Sequence, residues 1–202
     1  IDPDILVITG DSIDQYQPDV SAAMSVINPL LSHYPVYIVT GNHEHFSGKD
    51  VPFFTLLREA SAHLLRNATV LISKGNAKIA LAGIDDPSYF SSDPEYRDGL
   101  RRIHTPDAFN ILLAHRPERI KDYSNEGFPL VLSGHAHGGQ FRLPFIGGLY
   151  APDQGLFPRL TSGIHRRDNT AMIVSRGLGN SRFPLRIANR PELLVITLRR
   201  NV

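Results

Sequence analysis

The sequence predicts an α/β fold, on two observations. Short runs of Ile, Val and Leu recur along the chain, each bounded by Gly, Pro or polar residues. Between several of them lie longer stretches whose apolar residues repeat at helical spacing. Strands that alternate with helices pack as layers on a sheet. At 202 residues, with 42% hydrophobic and 20% charged, the chain has the size and composition of one folded domain, which excludes disordered and fibrous classes.

The elements follow in order. A strand is expected at Ile5–Thr9, then a helix over Asp19–Ser32 with Val20, Ala23, Met24, Ile27, Leu30 and Leu31 roughly on one face. A second strand falls at Val36–Thr40. A second helix spans Val51–Leu65, with Asp50 as its N-cap and Pro52 in the first turn, where a missing N–H costs little. Ile79–Ala82 reads as a strand, Asp93–Ile103 as a helix opened by Asp-Pro, and Ile111–Ala114 and Leu130–Leu132 as buried strands. Gly and Pro concentrate from Gly134 to Gly163, which indicates long loops over the sheet edge with short hairpins. Strands at Ala171–Ser175 and Leu193–Leu198 close the chain. No repeat or linker divides it, so residues 1–202 read as one domain.

Charge and composition narrow the chemistry. With 21 Lys+Arg against 20 Asp+Glu the net charge is +1, so there is no basic footprint and nucleic acid is not an expected partner. The absence of Cys removes disulfides, thiolate metal sites and a cysteine nucleophile. Any metal must be held by His, carboxylate or amide oxygen. No apolar run approaches the roughly 18 residues of a membrane span. The chain opens Ile1-Asp2-Pro3-Asp4 without an initiating Met or a signal-like segment, and so reads as a processed or truncated piece whose location its own residues leave open.

Four expected strands end alike. Ile5–Thr9 runs into Gly10-Asp11, Val36–Thr40 into Gly41-Asn42-His43-Glu44, Ile111–Ala114 into His115, and Leu130–Leu132 through Ser133 into Gly134-His135-Ala136-His137. Ligand sites in open α/β sheets form outside the carboxyl ends of strands, so four neighbouring strands would bring Asp11, Asn42, His43, His115, His135 and His137 to one crevice. A carboxylate, an amide oxygen and imidazoles suit divalent Mn, Fe, Zn or Co. One carboxylate can bridge two ions about 3.5–4 Å apart, and alternate residues of a turn such as His135 and His137 can face different ions. A lone His after a strand is usually a satisfied rim residue, and a lone Gly-Asp a turn. Recurrence at four strand ends gives the set its weight.

These motifs, in this order, resemble those of calcineurin-like metallophosphoesterases. Gly134–Gln140 and the later Val174–Gly179 are similar to a bacterial subgroup of exported or membrane-associated members, some of them phosphodiesterases and some cleaving the pyrophosphate of a UDP-diacylglucosamine lipid precursor. The resemblance implies a two-sheet β-sandwich flanked by helices and a hydrolase of phosphoester bonds, phosphodiester or lipid-linked pyrophosphate, using a metal-bridging hydroxide. It implies two divalent ions in the intact protein. Asp11 would bridge them, Asn42, His115 and His135 would complete one site, and His137 would belong to the other. His43 would protonate or stabilise the leaving oxygen. The family begins with an Asp-x-His strand, and no Asp-x-His occurs in these residues. The expectation is a fold lacking its first strand, with one well-liganded metal site and an impaired second. The resemblance places the protein at the cell envelope or membrane, with a cytoplasmic location as the alternative. The rival function is a non-catalytic scaffold or binding protein of the same fold.

Other residues read less sharply. Asp85-Asp86 either supports the site from behind or forms a plain turn before Pro87. Arg116 and Arg176 are read as structural in preference to phosphate-binding, His45 as a rim residue, and Glu44 as orienting its own loop. His33, His63, His104 and His165 read as ordinary. Phe141, Phe145, Tyr150 and Phe157 either shape a lipid-accepting, membrane-facing lip or pin the long loop onto the sheet, and the second reading is preferred.

Overall fold

The structure, a computed structural model, describes residues 2–180 and 185–199. In chain order it contains β1 (Leu6–Ile8), α1 (Val20–Leu31), β2 (Val36–Ile38), α2 (Asn42–Ser47), α3 (Asp50–Glu59), β3 (His63–Leu64), β4 (Ala68–Lys74), β5 (Ala77–Gly83), α4 (Asp93–Ile103) and β6 (Phe109–Leu113). There follow α5 (Ile120–Asn125), β7 (Leu130–Ser133), β8 (Arg142–Leu143), β9 (Gly147–Gly148), β10 (Tyr150–Ala151), β11 (Gly155–Leu156), β12 (Gly163–Arg167) and β13 (Thr170–Val174).

Two sheets make the frame. One is parallel with order β1-β2-β3; the other has order β12-β13-β7-β6-β5-β4, its four central strands parallel and both edge strands antiparallel. Unbroken apolar runs such as Leu130–Leu132 are what a strand covered on both faces requires. Alternate side chains divide the molecule into layers. Val7, Tyr37 and Val39 of the smaller sheet meet Leu81, Ile111, Leu113 and Leu132 of the larger one in a core between the sheets. Leu6, Ile8, Val36 and Ile38 turn the other way, onto Met24, Ile27, Phe53 and Leu57 of α1 and α3. Ala82, Leu112, Val131 and Met172 pack outward on Tyr96, Leu100, Ile120 and Tyr123 of α4 and α5. The result is an α/β sandwich of two sheets with helices outside.

Local chemistry starts the helices where the sequence indicates. The Asp19 carboxylate accepts the Ala22 N–H at 2.8 Å at the start of α1, and Ser92 caps α4 through the Glu95 N–H. Several boundaries differ from expectation. The second helix stops at Glu59, because Ser61 adopts a left-handed backbone (φ 64°) and His63–Leu64 is taken up as a strand beside Tyr37–Ile38. Asp50 is the first helical residue, and Lys49 occupies the N-cap position. The Ala68–Lys74 strand was not anticipated, although Gly75-Asn76 between two apolar runs is a hairpin signal. Leu193–Leu198 is not a strand: it makes no ladder, and Leu193, Val195 and Leu198 are exposed. Among the described residues no helix is long and apolar enough to cross a membrane.

The sandwich also corrects the expectation of four neighbouring strands. β1 and β2 lie in one sheet, β6 and β7 in the other. Their carboxyl ends meet across the layers. The Thr9 carbonyl is 2.6 Å from Nδ1 of His115, and a Cβ added at Gly134 would lie 3.0 Å from the Thr9 hydroxyl.

Candidate metal centre

Each loop that leaves a strand is shaped to present a ligand atom. Gly10 takes φ +90°, and a Cβ there would come within 2.6 Å of the Gly41 nitrogen and 2.7 Å of His115 Nδ1, so only glycine fits between the two sheets. Asp11 follows at φ 54°, a backbone that costs energy in a residue with a Cβ. Its Oδ1 accepts the His43 N–H at 3.0 Å, which aims Oδ2 into the centre of the site.

Around that oxygen the imidazoles converge. Nε2 of His115 lies 3.1 Å from Asp11 Oδ2, and Nδ1 of His135 lies 3.1 Å from the same His115 nitrogen. One ligand atom each from Asp11, His115 and His135 falls within 4.8 Å of the others. The Nδ1–H of His115 donates to the Thr9 carbonyl, so the opposite nitrogen is the one turned inward, the arrangement seen behind metal-binding histidines. Asn42 is the first residue of α2, and His137, beyond the β7 turn, stands outside that tight group. His137 nonetheless feels the charges of Asp11, His135, His115 and His43. His43 sits beside it, with Nε2 3.9 Å from Asp11 Oδ2 and Nδ1 accepting the Gln15 N–H at 3.3 Å.

Titration behaviour follows from burial and charge. Burial works to raise the Asp11 carboxyl, but the charge and hydrogen bond of His115, with His43, hold it far below the usual carboxylate range. Burial works to lower His115, and Asp11 outweighs it, pushing the imidazole up to about 9. His135 and His137 are pulled down to about 4, mainly by burial, and are therefore neutral, with a lone pair free to bind, at neutral pH.

The donor set fits a divalent cation. Buried Asn42 Oδ1 has no hydrogen-bond donor, and Asp11 Oδ2 is met at hydrogen-bond distance by the His115 imidazolium alone. The His115 proton supplies positive charge beside Asp11, and a divalent cation held there would displace it, with Asp11, His115 and neutral His135 as its donors. A second acidic group, Glu118, His135 and Asp153, is also compact. Arg116 already fills it with a cation: its guanidinium pairs with Asp153 and stands 3.7 Å from Glu118.

Several supporting residues were not legible as such. Glu44 does far more than orient its own loop. Buried to 1% exposure, its carboxylate accepts N–H bonds from Gly41 (2.7 Å), Asp11 (3.0 Å), Ser12 and Ile13, and so ties the exits of β1 and β2 together. Burial, and then the charge of Asp11, raise this carboxyl to about 7 against those donors. Of the two readings of Asp85-Asp86, support behind the site is what the structure displays. Asp85 holds Thr40, Arg66 and Asn67, while fully buried Asp86 grips the Arg116 guanidinium, whose Nη1 lies 3.2 Å from His135 Nε2. Asp153 accepts from His135 Nε2 at 2.9 Å, and Asn189 donates to the carbonyls of His137 (2.6 Å) and Gln140, bracing a turn in which His135, His137, Gly138, Gly139 and Gln140 all have positive φ. Only the Asx-type residue at 189 and the Gly-Gly pair hint at this in the sequence.

The remaining assignments are bland. Arg176 is ion-paired with Glu192 at 3.4 Å, His45 stacks edge-on against Tyr89 at the rim, and His63 stacks on Tyr37. Phe145, Tyr150 and Phe157 are exposed, which overturns for these three the preferred reading that the loop aromatics pin it onto the sheet; Phe141 is half-buried and forms a β-bridge with Ile187.

Comparison with known proteins follows the same lines. Residues 1–139 match the family described as calcineurin-like phosphoesterase. Over 98% of its length the chain is 34% identical to the metallophosphoesterase YkuE of Bacillus subtilis, spanning 68% of that protein. It is 30% identical to the bovine transmembrane protein with metallophosphoesterase domain, spanning 46% of it, and 28% identical to the phosphodiesterase YaeI of Escherichia coli, spanning 70%. In fold it is similar to the sulfate thiohydrolase SoxB of Thermus thermophilus, with a TM-score of 0.54 at 16% identity over 84% of this chain and 33% of that one.

Proposed function

Since the chain belongs to the calcineurin-like phosphoesterase family, we propose that it is a divalent-metal-dependent hydrolase of phosphoester bonds, acting on phosphodiesters or lipid-linked pyrophosphates. The observation that carries this reading is the convergence of ligand atoms from Asp11, His115 and His135 within 4.8 Å of one another, with buried Asn42 Oδ1 left without a donor. Asp11, Asn42, His115 and His135 would hold one ion, and Asp11 with His137 would contribute to a second. When bound, such ions lower the pKa of water and neutralise phosphoryl oxygens, which is the chemistry a phosphoester hydrolase needs.

The protein's own part is orientation and proton handling. Asp11 sets the centre through the Oδ1 bond to the His43 backbone. Because Nδ1 of His43 accepts the Gln15 N–H, the ring's proton resides on Nε2, on the Asp11 side, where it can be passed to a departing oxygen. Arg116, fixed by Asp86, keeps a positive charge against His135. Location at the cell envelope or membrane belongs to the same proposal, in line with the bovine relative's name.

The test is titration with Mn²⁺ by calorimetry, together with hydrolysis of bis(4-nitrophenyl) phosphate, for the native chain and for Asp11→Asn, Asn42→Ala and His43→Ala. Loss of Mn²⁺ uptake in the first two, and loss of turnover with uptake retained in the third, is the expected pattern. Failure of the native chain to take up Mn²⁺ overturns the reading. Uptake without hydrolysis of any phosphoester points to the scaffold alternative.

A further inference from the structure

We propose that the two hairpins beside the His137–Gln140 turn form a docking face for an anionic lipid bilayer, their apolar tips entering the membrane and neighbouring arginines pairing with headgroup phosphates. The proposal rests on the membrane location proposed above, to which it gives a surface, and does not depend on hydrolysis.

The first observation is where the large apolar side chains go. The β8–β9 hairpin turns through Pro144, Phe145 and Ile146; Phe145 is fully exposed, and Leu143 and Ile146 are exposed beside it. The β10–β11 hairpin exposes Tyr150, Leu156 and, just after it, Phe157. The two hairpins are joined, since the Leu149 N–H donates to the Phe141 carbonyl at 2.8 Å and the Leu149 carbonyl accepts the Phe157 N–H at 2.9 Å. Single exposed apolar residues on a surface are ordinary. A run of them on two connected hairpins is not, and such patches mark interaction sites.

The second observation is charge. Residues 141–168 hold Arg142, Arg159, Arg166 and Arg167 against two acids, Asp153, which pairs with Arg116 and His135, and Asp168, which stands 3.8 Å from Arg167. In a chain of net charge +1, this face is therefore locally basic. The third observation is an open groove of about 550 Å³ lined by Arg159, Arg166 and Arg167 together with Phe157 and Leu160. Guanidinium groups match phosphate oxygens in paired hydrogen bonds, and apolar side chains lining the same groove suit the glycerol and upper acyl segments of a lipid.

A bilayer fits better than a folded protein partner. Protein interfaces need a surface that packs to interior density. Hydrocarbon needs no such fit, and protruding Phe, Leu and Ile tips backed by Arg are the pattern of interfacial membrane binding.

The test is co-sedimentation of the whole protein with vesicles of phosphatidylcholine alone and of phosphatidylcholine mixed with phosphatidylglycerol. It is read by partition and needs no turnover, so its failure is separable from failure of the hydrolase proposal. Strong partition into the mixed vesicles, weakened by added salt, is expected. Phe145→Ser and Phe157→Ser should each lower partition about tenfold or more, from the lost burial of a phenyl ring. Arg159→Gln with Arg166→Gln and Arg167→Gln should remove the preference for anionic vesicles, at about fivefold per arginine. All five positions are exposed, and unchanged circular dichroism and melting will show that the variants fold. Partition of the native protein into neither vesicle, or partition unchanged in these variants, overturns the proposal. So does self-association that Phe145→Ser abolishes while vesicles are ignored, which would make the face a contact between copies.

Discussion

Replacing Glu44 by Gln removes one carboxylate oxygen from a set of four N–H donors that link two strand exits. In the native site Oε2 serves Gly41 and Asp11, and Oε1 serves Ser12 and, at a longer 3.4 Å, Ile13. The amide keeps one acceptor, most favourably toward Gly41 and Asp11, and turns an NH₂ toward the other two donors. One sound bond and one weak bond to a charged acceptor are lost, at about 1.5–3 kcal/mol for a full one. Part of this is returned, because the native carboxyl is held up to about 7 by burial and by Asp11, and the amide carries no charge to bury. The net is a destabilisation of about 2–3 kcal/mol, or a melting point lower by about 4–12 °C for a chain of this size. Residues that orient metal ligands typically change metal affinity by about 10–100-fold, so Mn²⁺ binding should weaken by at least about tenfold. Urea unfolding in the presence of chelator measures the first quantity and calorimetry the second. A variant within about 0.5 kcal/mol of the native chain, and with unaltered Mn²⁺ affinity, would refute the bracing role.

Three further outcomes are expected. Arg116→Ala should cost about 3–5 kcal/mol in urea unfolding, because fully buried Asp86 is left without its cation, and adding Asp86→Asn should recover part of the loss; equal losses in single and double variants would argue against the pairing. Gly10→Ala should lower stability by more than about 2 kcal/mol and Mn²⁺ affinity with it, since the backbone is at φ +90° and the new methyl meets Gly41 and His115 at 2.6–2.7 Å; a fully stable variant would show that the two loops can separate freely. In chelator, the stability of the native chain should fall on both sides of about pH 6.5. His115, held at about 9 against an unfolded 6.5, gives a contribution that is complete below pH 6.5 and lost as the pH rises to 9. His135 and His137, held at about 4, give one that is lost as the pH falls from 6.5 toward 4. His115→Asn should flatten the alkaline limb and, by removing a charge that lowers His135 and His137, reduce the acid limb to a smaller extent, which denaturation across a pH series will reveal.

Much of the architecture is written locally. The Asp19 and Ser92 caps, the amphipathic face of Val20–Leu31 and the unbroken apolar runs of β6 and β7 announce their elements because each depends on neighbours a few residues away. Leu193–Leu198 has the composition of a strand but makes no ladder in the described structure; composition sets a propensity, and only pairing realises it. The Val51–Leu65 stretch was overextended for the converse reason, since sheet pairing at His63–Leu64 overrides a helical pattern that the apolar residues would otherwise continue.

The site divides in the same way. The sequence by itself determined which residues leave the strand ends, because Asp11, Asn42, His43, His115, His135 and His137 are fixed to their strands by covalent adjacency, and a strand's end decides where its next side chain goes. Only the tertiary structure decided that these ends belong to two sheets that meet at the Thr9–His115 contact. It alone decided that Glu44 would bind the backbone of Asp11 from 33 positions away, that Arg116 would be seated by Asp86, and that Asn189 would hold the turn of His137. Those partners are chosen by how layers pack over long separations, and a buried carboxylate or amide takes whatever donor or acceptor the packing leaves within reach.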